Sequence, residues 1–168
     1  MRLDGYRRIV IKIGSSLLID DSGAVDIAWL DSLADDVATI YAAGCDVLLV
    51  SSGAIAIGGA ALGIDRRRAR LAELQAAASA GQVLLVNAWA SALARHDIAT
   101  AQVLLTLDDT ENRRRFLNAR STLAELQKRR VVPVVNENDT VSTDEIRYGD
   151  NDRLAARVAQ LVSADSLV

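Results

Sequence analysis

The chain has 168 residues, 51% hydrophobic and 24% charged, which fits one globular domain and excludes a disordered or collagen-like polypeptide. A formal charge of −3 gives no overall basic field, so nucleic-acid binding would need a local patch. With one cysteine, Cys45, and one histidine, His96, the chain has no internal disulfide and no His/Cys zinc set, and any Ser-His-Asp or Cys-His arrangement would have to run through His96.

From the start, Met1 to Gly5 is polar and Ile9 to Ile13 is too short for the apolar core of a signal peptide, so a cytoplasmic protein is expected. Arg8 to Ile13 reads as a buried strand. Residues 25–43 place Leu30, Leu33, Ala34, Val37 and Tyr41 on one helical face, with Gly44 as the stop. Asp46 to Val50 is the next strand, and a short helix begins near Gly53. A long alanine-rich helix runs from about Arg68 to Arg95, and Gly81 within it points to close packing. Residues 74–94 carry no charge and approach the roughly 20 residues of a membrane span. Gln75, Gln82 and Asn87 and the many alanines favour a buried helix instead, with no membrane partner. The Arg95-His96-Asp97 step that ends it reads as a surface cap.

Thr100 to Leu105 is a strand, and residues 112–130 are helical through Phe116, Ala119, Leu123 and Leu126. Val131 to Val135 is a strand in which Pro133, the only proline, predicts an irregularity. Thr140 to Tyr148 reads as a hairpin or flap, Asp150 to Val162 as a helix, and Ala164 to Val168 as the beginning of a further strand. Apolar strands alternating with helices predict an α/β fold, a three-layer αβα sandwich around a mostly parallel sheet.

In such sheets ligands collect beyond the carboxyl ends of the strands. Lys12, one of only two lysines, stands inside the first apolar strand, where an ammonium group needs an anion or a carboxylate, and Gly14 just beyond lets the backbone approach an anion closely. Ser51-Ser52-Gly53 opens a helix after the second strand, and unpaired N–H groups at such a start attract phosphate or carboxylate. Asn136-Glu137-Asn138-Asp139 and Asp150-Asn151-Asp152 bring carboxamides and carboxylates to two more ends, suited to an ammonium, a hydroxyl or hydrated Mg²⁺. Neither a Walker A motif nor a Gly-x-Gly-x-x-Gly fingerprint is present. The arginine clusters at 66–70, 113–115 and 129–130 have acidic neighbours and no interleaved aromatics, which marks a solvated surface rather than an RNA-binding face.

Taken together, Lys12-Ile13-Gly14-Ser15-Ser16, Ser52-Gly53-Ala54-Ile55, Gly81-Gln82, Asn112 to Arg120, Pro133 to Asp139 and Gly149 to Asp152 resemble the glutamate 5-kinases, a branch of the amino-acid kinase family. Phe116-Leu117-Asn118-Ala119-Arg120 and Val135-Asn136-Glu137-Asn138-Asp139 are the segments most particular to that branch. The resemblance implies ATP-dependent phosphorylation of the side-chain carboxylate of L-glutamate, the first step of proline synthesis, with ATP as co-substrate and Mg²⁺ bridging its phosphates. It implies catalytic roles for Lys12 and Asp152, glutamate binding by Ser52, Gly53, Asp139 and Asn151, and ATP contacts from Lys12 and Gly14. It also implies proline inhibition through the flap, with Glu145 as the tuning residue, and a homo-oligomer. It matches residues 1–168 to the glutamate-binding N-terminal part of the kinase domain, with the nucleotide-binding half and any PUA domain outside this chain. A non-catalytic amino-acid-binding fragment and an acetylglutamate or uridylate kinase remain as alternatives.

Overall fold

The apolar runs become strands because each supplies β-branched and leucine side chains to both faces of one sheet, as a parallel sheet covered on two sides requires. A computed structural model describes residues 5–20, 22–141 and 150–168. In chain order its elements are β1 (Arg8–Ile13), α1 (Ser15–Leu18), α2 (Ile27–Ala42), β2 (Asp46–Ser51), α3 (Ala54–Leu62), α4 (Leu71–Ala94), β3 (Thr100–Leu105), α5 (Leu107–Glu111), α6 (Arg113–Lys128), β4 (Val132–Glu137), α7 (Asp150–Val162) and β5 (Ser166–Leu167). The strands lie in the order β3-β4-β2-β1-β5, and every pairing is parallel. The expected sandwich is therefore the observed one.

One face of the sheet buries Ile13, Leu49 and Val134 against Leu30 and Val37 of α2 and Leu85, Trp89 and Leu93 of α4. The other buries Val10, Val50 and Val135 against Leu123 of α6 and Leu154, Val158 and Leu161 of α7. Helix α4 is long and apolar enough to cross a membrane by length and composition alone. Its packing on the sheet buries Ala77, Ala78, Leu85, Trp89, Ala92 and Leu93 in the core, while Leu71, Val83 and Leu84 stay exposed.

The helix boundaries follow from local chemistry. The Asp26 carboxylate accepts the Trp29 N–H at 3.0 Å to start α2, and Asn112 Oδ1 accepts the Arg114 and Arg115 N–H groups to start α6. Helix α4 opens three residues later than the sequence suggests, where Glu73 accepts the Arg70 N–H at 2.8 Å. The Arg95-His96 step does close α4, and it does so by contact with α2: His96 Nε2 lies 2.8 Å from Asp35 Oδ1 and Arg95 Nη1 lies 2.7 Å from Asp31 Oδ1.

Pro133 causes no break. The Val132 N–H points to β3, donating to the Ala99 carbonyl at 2.9 Å, so the missing N–H of Pro133 falls on the β2 side. There the β4 ladder begins only at Val134, paired with Leu49, and β4 continues to Glu137. The irregularity is thus a short ladder, not a bulge. The flap expected at 140–148 lies, beyond Val141, outside the described residues, and Glu145 with it.

Two glycines set the distance between α3 and α4. A Cβ on Gly58 would stand 1.8 Å from the Ala77 carbonyl oxygen, and one on Gly81 would stand 1.8 Å from that of Ala54. Backbone therefore packs on backbone, with no room for a methyl group. Gly81→Ala should destabilise the chain by about 2–3 kcal/mol in urea denaturation, the cost of forcing a methyl into a filled contact. Gly59→Ala, one residue along from Gly58 but meeting only ordinary contacts, should be neutral or mildly stabilising in the same assay.

The outer edge of β1 is tied to the end of the chain by Asp165, whose Oδ2 accepts the Arg7 and Arg8 N–H groups at 2.8 and 2.9 Å. The Arg8 N–H, then that of Arg7, holds this carboxyl below the usual carboxylate range. A depressed native pKa adds stability that is full above the unfolded value and is lost as pH falls through the native one. Asp165→Asn should therefore lower the melting temperature at pH 7, and its difference from the parent chain should close as the pH is taken below about 4.

Candidate active site at the carboxyl edge of the sheet

The connection after β2 leads to α3 and α4 on one face of the sheet, and the connection after β4 leads to α7 on the other. Since β2 and β4 are neighbours whose following helices lie on opposite faces, the topology places a crevice between them at the carboxyl edge, the usual ligand position in such sheets. Ser52 and Gly53 stand on one side of it, Asn138 and Asp139 on the other, and Lys12 and Gly14 follow on β1. Three strands at the usual spacing make this row about 10 Å wide, the scale of an amino acid with a phosphoryl group beside it.

Lys12 shares the side of β1 that carries Val10, and so faces α7. Its Nζ meets Asp152 Oδ1 at 2.6 Å, with the lysine side chain 31% and the aspartate 60% exposed. The structure thus brings together Lys12 and Asp152, far apart in sequence. Gly14 has an ordinary φ of −77°, so its backbone does not demand glycine. Its value lies in the missing side chain: a Cβ there would sit 3.6 Å from the Lys12 ammonium and cover it.

Gly53 is different. Its φ of +114° is open to glycine alone, and a Cβ would meet Ile19 Cδ1 at 3.0 Å. It is the N-cap of α3 with no side-chain cap, which leaves first-turn N–H groups facing the crevice end of the helix. The Ser52 N–H donates to the Ile13 carbonyl at 3.0 Å and joins the ends of β1 and β2; likewise the Asn138 N–H donates to the Leu105 carbonyl at 2.9 Å and joins β4 to β3. Asp139 is half-buried in the turn that follows, and Asn151 is half-buried in the first turn of α7, its Oδ1 buried without a hydrogen-bond partner.

Beneath the crevice lies a polar layer whose roles the sequence did not reveal. Asn136 Nδ2 donates to Gln82 Oε1 at 2.7 Å, both side chains being buried, and Asn136 Oδ1 and Gln82 Nε2 have no partner. Trp89 Nε1 donates to the wholly buried Ser51 Oγ at 2.9 Å. The sequence signals were a glutamine in the uncharged stretch 74–94 and an asparagine just past an apolar strand, both within segments that carry the family resemblance. Among the described residues no group of three His, Cys, Asp or Glu side chains could hold a metal ion.

The model of the amino acid kinase family matches residues 7–168. The chain belongs to the amino acid kinase family. It is 62% identical over 167 residues to glutamate 5-kinase of Paramagnetospirillum magneticum, covering 99% of this chain and 45% of that protein. It is 57% identical over 166 residues to glutamate 5-kinase 1 of Mesorhizobium japonicum, covering 99% of this chain and 44% of that protein. The chain therefore spans less than half the length of these curated relatives. The crystal structure of UMP kinase from Ureaplasma parvum superposes with a TM-score of 0.61 at 17% identity, covering 96% of this chain and 67% of that one, a likeness of fold.

Gly53→Ala should cost about 1–3 kcal/mol in chemical denaturation, because alanine must be held at a φ it rarely adopts. The same substitution at Gly14 should leave stability within about 0.5 kcal/mol, since neither backbone nor packing opposes it there.

Proposed function

We propose that this chain forms the glutamate-binding part of a kinase that transfers the γ-phosphoryl group of ATP to the side-chain carboxylate of L-glutamate. A carboxylate oxygen of glutamate attacks the γ-phosphorus in line, the bond to the β,γ-bridging oxygen breaks, and γ-glutamyl phosphate and ADP result. The observation that carries the reading is the Lys12–Asp152 pair at the carboxyl edge, a cation held by one carboxylate and open on its Gly14 side. High identity to proteins named glutamate 5-kinase supports the choice of acceptor.

In this reading Lys12 neutralises charge on the phosphoryl group in flight, and Asp152 fixes the direction of its ammonium. Ser52 and the N–H groups beyond Gly53 take a carboxylate of glutamate, while Asp139 and the unpaired Asn151 Oδ1 accept from its α-ammonium. The ATP phosphates approach Lys12 over Gly14. Mg²⁺ would arrive on those phosphates, since no protein cage for it is found among the described residues. The relatives are more than twice as long, so the nucleotide-binding half, and any PUA domain, would lie outside this chain. Turnover would belong to the complete, cytoplasmic and oligomeric enzyme at the head of proline synthesis. Proline would compete at the glutamate site, tuned by Glu145.

Calorimetric titration of the chain with L-glutamate, L-proline, acetylglutamate and uridylate tests the substrate assignment without nucleotide. Saturable binding of glutamate that proline displaces and Asp139→Ala abolishes is the expected result. Binding of acetylglutamate or uridylate instead would reassign the site to another branch of the family, and binding of none by a folded chain would remove the substrate site from this part of the molecule. In a complete enzyme, Lys12→Ala should depress kcat at least about 100-fold with glutamate KM little changed, and equal loss in both would exclude the transition-state role.

A further inference from the structure

At the opposite, amino edge of the sheet, a cavity of about 530 Å³ opens between the C-terminal ends of α6 and α7. Arg8 and Asp46, from the starts of β1 and β2, form its roof, and Arg120, Gln127 and Lys128 of α6 form one wall, facing Ser163 beyond α7. Arg8 lies four residues before Lys12 on β1, so this cavity is roughly 13 Å from the carboxyl edge.

The charges around it do not balance. Asp46 is its one carboxylate, and it is committed to Arg8 Nη2 at 3.0 Å and to Arg130 Nη1 at 3.5 Å. Arg120 and Lys128 have no ion-pair partner among the described residues. Two buried donors in the lining, Arg8 Nε and Gln127 Nε2, have no acceptor, and Gln127 is only 7% exposed. Every unsatisfied lining group recorded here is a donor or a cation.

Basic residues near helix C-termini commonly serve the helix's own carbonyls, but here most of those carbonyls are served by other donors. The Arg130 N–H donates to Gln127 O at 2.8 Å and the Val131 N–H to Leu126 O at 3.0 Å, closing α6 through Arg130 at φ +57°. The Ser163 N–H donates to Gln160 O and the Ala164 N–H to Ala159 O, closing α7 through Ser163 at φ +52°, while Arg8 Nη1 donates to Val162 O. Arg120 stands two turns before the end of α6 and serves no carbonyl there.

We propose that this cavity is a second ligand site, separate from the carboxyl edge, for a phosphate group, either free or as the monoester of a small molecule. Arg120 and Lys128 supply charge, and Gln127 Nε2 and Arg8 Nε, buried beside the cavity without acceptors, turn toward the ligand to donate. The volume exceeds that of phosphate alone and leaves room for a short organic body against Leu161 and Val162.

The test is a titration of the 168-residue chain with inorganic phosphate at constant ionic strength, followed by ¹H–¹⁵N correlation spectra, with glycerol phosphate in a parallel arm. Saturable shifts centred on the amides of Gln127, Lys128 and Ser163 are expected, and they should persist in Lys12→Ala, which removes the cation at the other edge. Arg120→Ala and Lys128→Ala, both exposed and unpaired, should each weaken binding about tenfold, with Arg113→Ala on the same helix as the control that should not. Tighter binding of the monoester would support an esterified ligand, and equal binding free phosphate. Absence of saturation, equal weakening by Arg113→Ala, or shifts confined to the carboxyl edge and lost with Lys12→Ala would each overturn the proposal.

Discussion

The backbone contact between Gly58 and Gly81 sets the geometry on which the rest of this molecule depends. With no side chain on either residue, α3 settles against α4 at a distance fixed by main-chain atoms, with carbonyls of Ala54 and Ala77 at the junction. That contact fixes where α3 begins, and hence where Gly53 and the first-turn N–H groups meet the end of β2. On α4 the residue after Gly81 is Gln82, whose carboxamide holds Asn136 near the end of β4. A single step of α4 thus positions both walls of the crevice, one through backbone packing and one through a buried hydrogen bond. Two buried amide atoms are left unpaired there, at a cost of about 1–3 kcal/mol each. A polar layer so placed is poor core and good foundation for a polar ligand.

The Lys12–Asp152 pair adds little to stability. At 31% and 60% exposure its two charges are screened by water, and such pairs contribute about 0–1 kcal/mol. A leucine in β1 would serve the core better. In the proposed function that ammonium serves the phosphoryl groups that reach it, and with no side chain at Gly14 nothing covers the approach.

The sheet was legible in the sequence because strand and helix alternate with clear periods, and β1, α2, β2, α4, β3, α6, β4 and α7 all begin and end within three residues of where those periods place them. Helices α1 and α5 were not, since four and five residues are too few for a 3.6-residue rhythm to register. The Thr106–Asp109 capping box that opens α5 was the one available signal. Candidate site residues were visible as misfits, a lysine in an apolar strand and amide clusters at strand ends. What the sequence withheld was pairing across distance. Gln82 and Asn136 are 54 residues apart and meet only because β4 inserts between β2 and β3. Arg8 likewise lay in a segment that read as a buried strand, and Arg120 and Lys128 in one that read as a helix, and only the docking of α6 beside α7 gathers them around one cavity.

Helix α7 joins the two edges of the sheet. It runs back along β1, and β1 presents a cation to each of its ends: Lys12 to Asp152 in the first turn, Arg8 to the Val162 carbonyl at the last residue. Both contacts suit the helix dipole, with a carboxylate at the positive end and a cation at the negative one. They are not equivalent. Arg8 is also locked to Asp46, with side-chain exposures of 30% and 25%, whereas Asp152 is mostly in water. An anion reaching Lys12 competes for its ammonium with an exposed carboxylate, and can take a share of it at small cost. In the proposed function, the buried leucines of α7 and the Arg8 anchor would keep the helix seated while Lys12 changes partner. The water-exposed half of the clamp thus faces the carboxyl edge, and the more buried half supports it from the far edge.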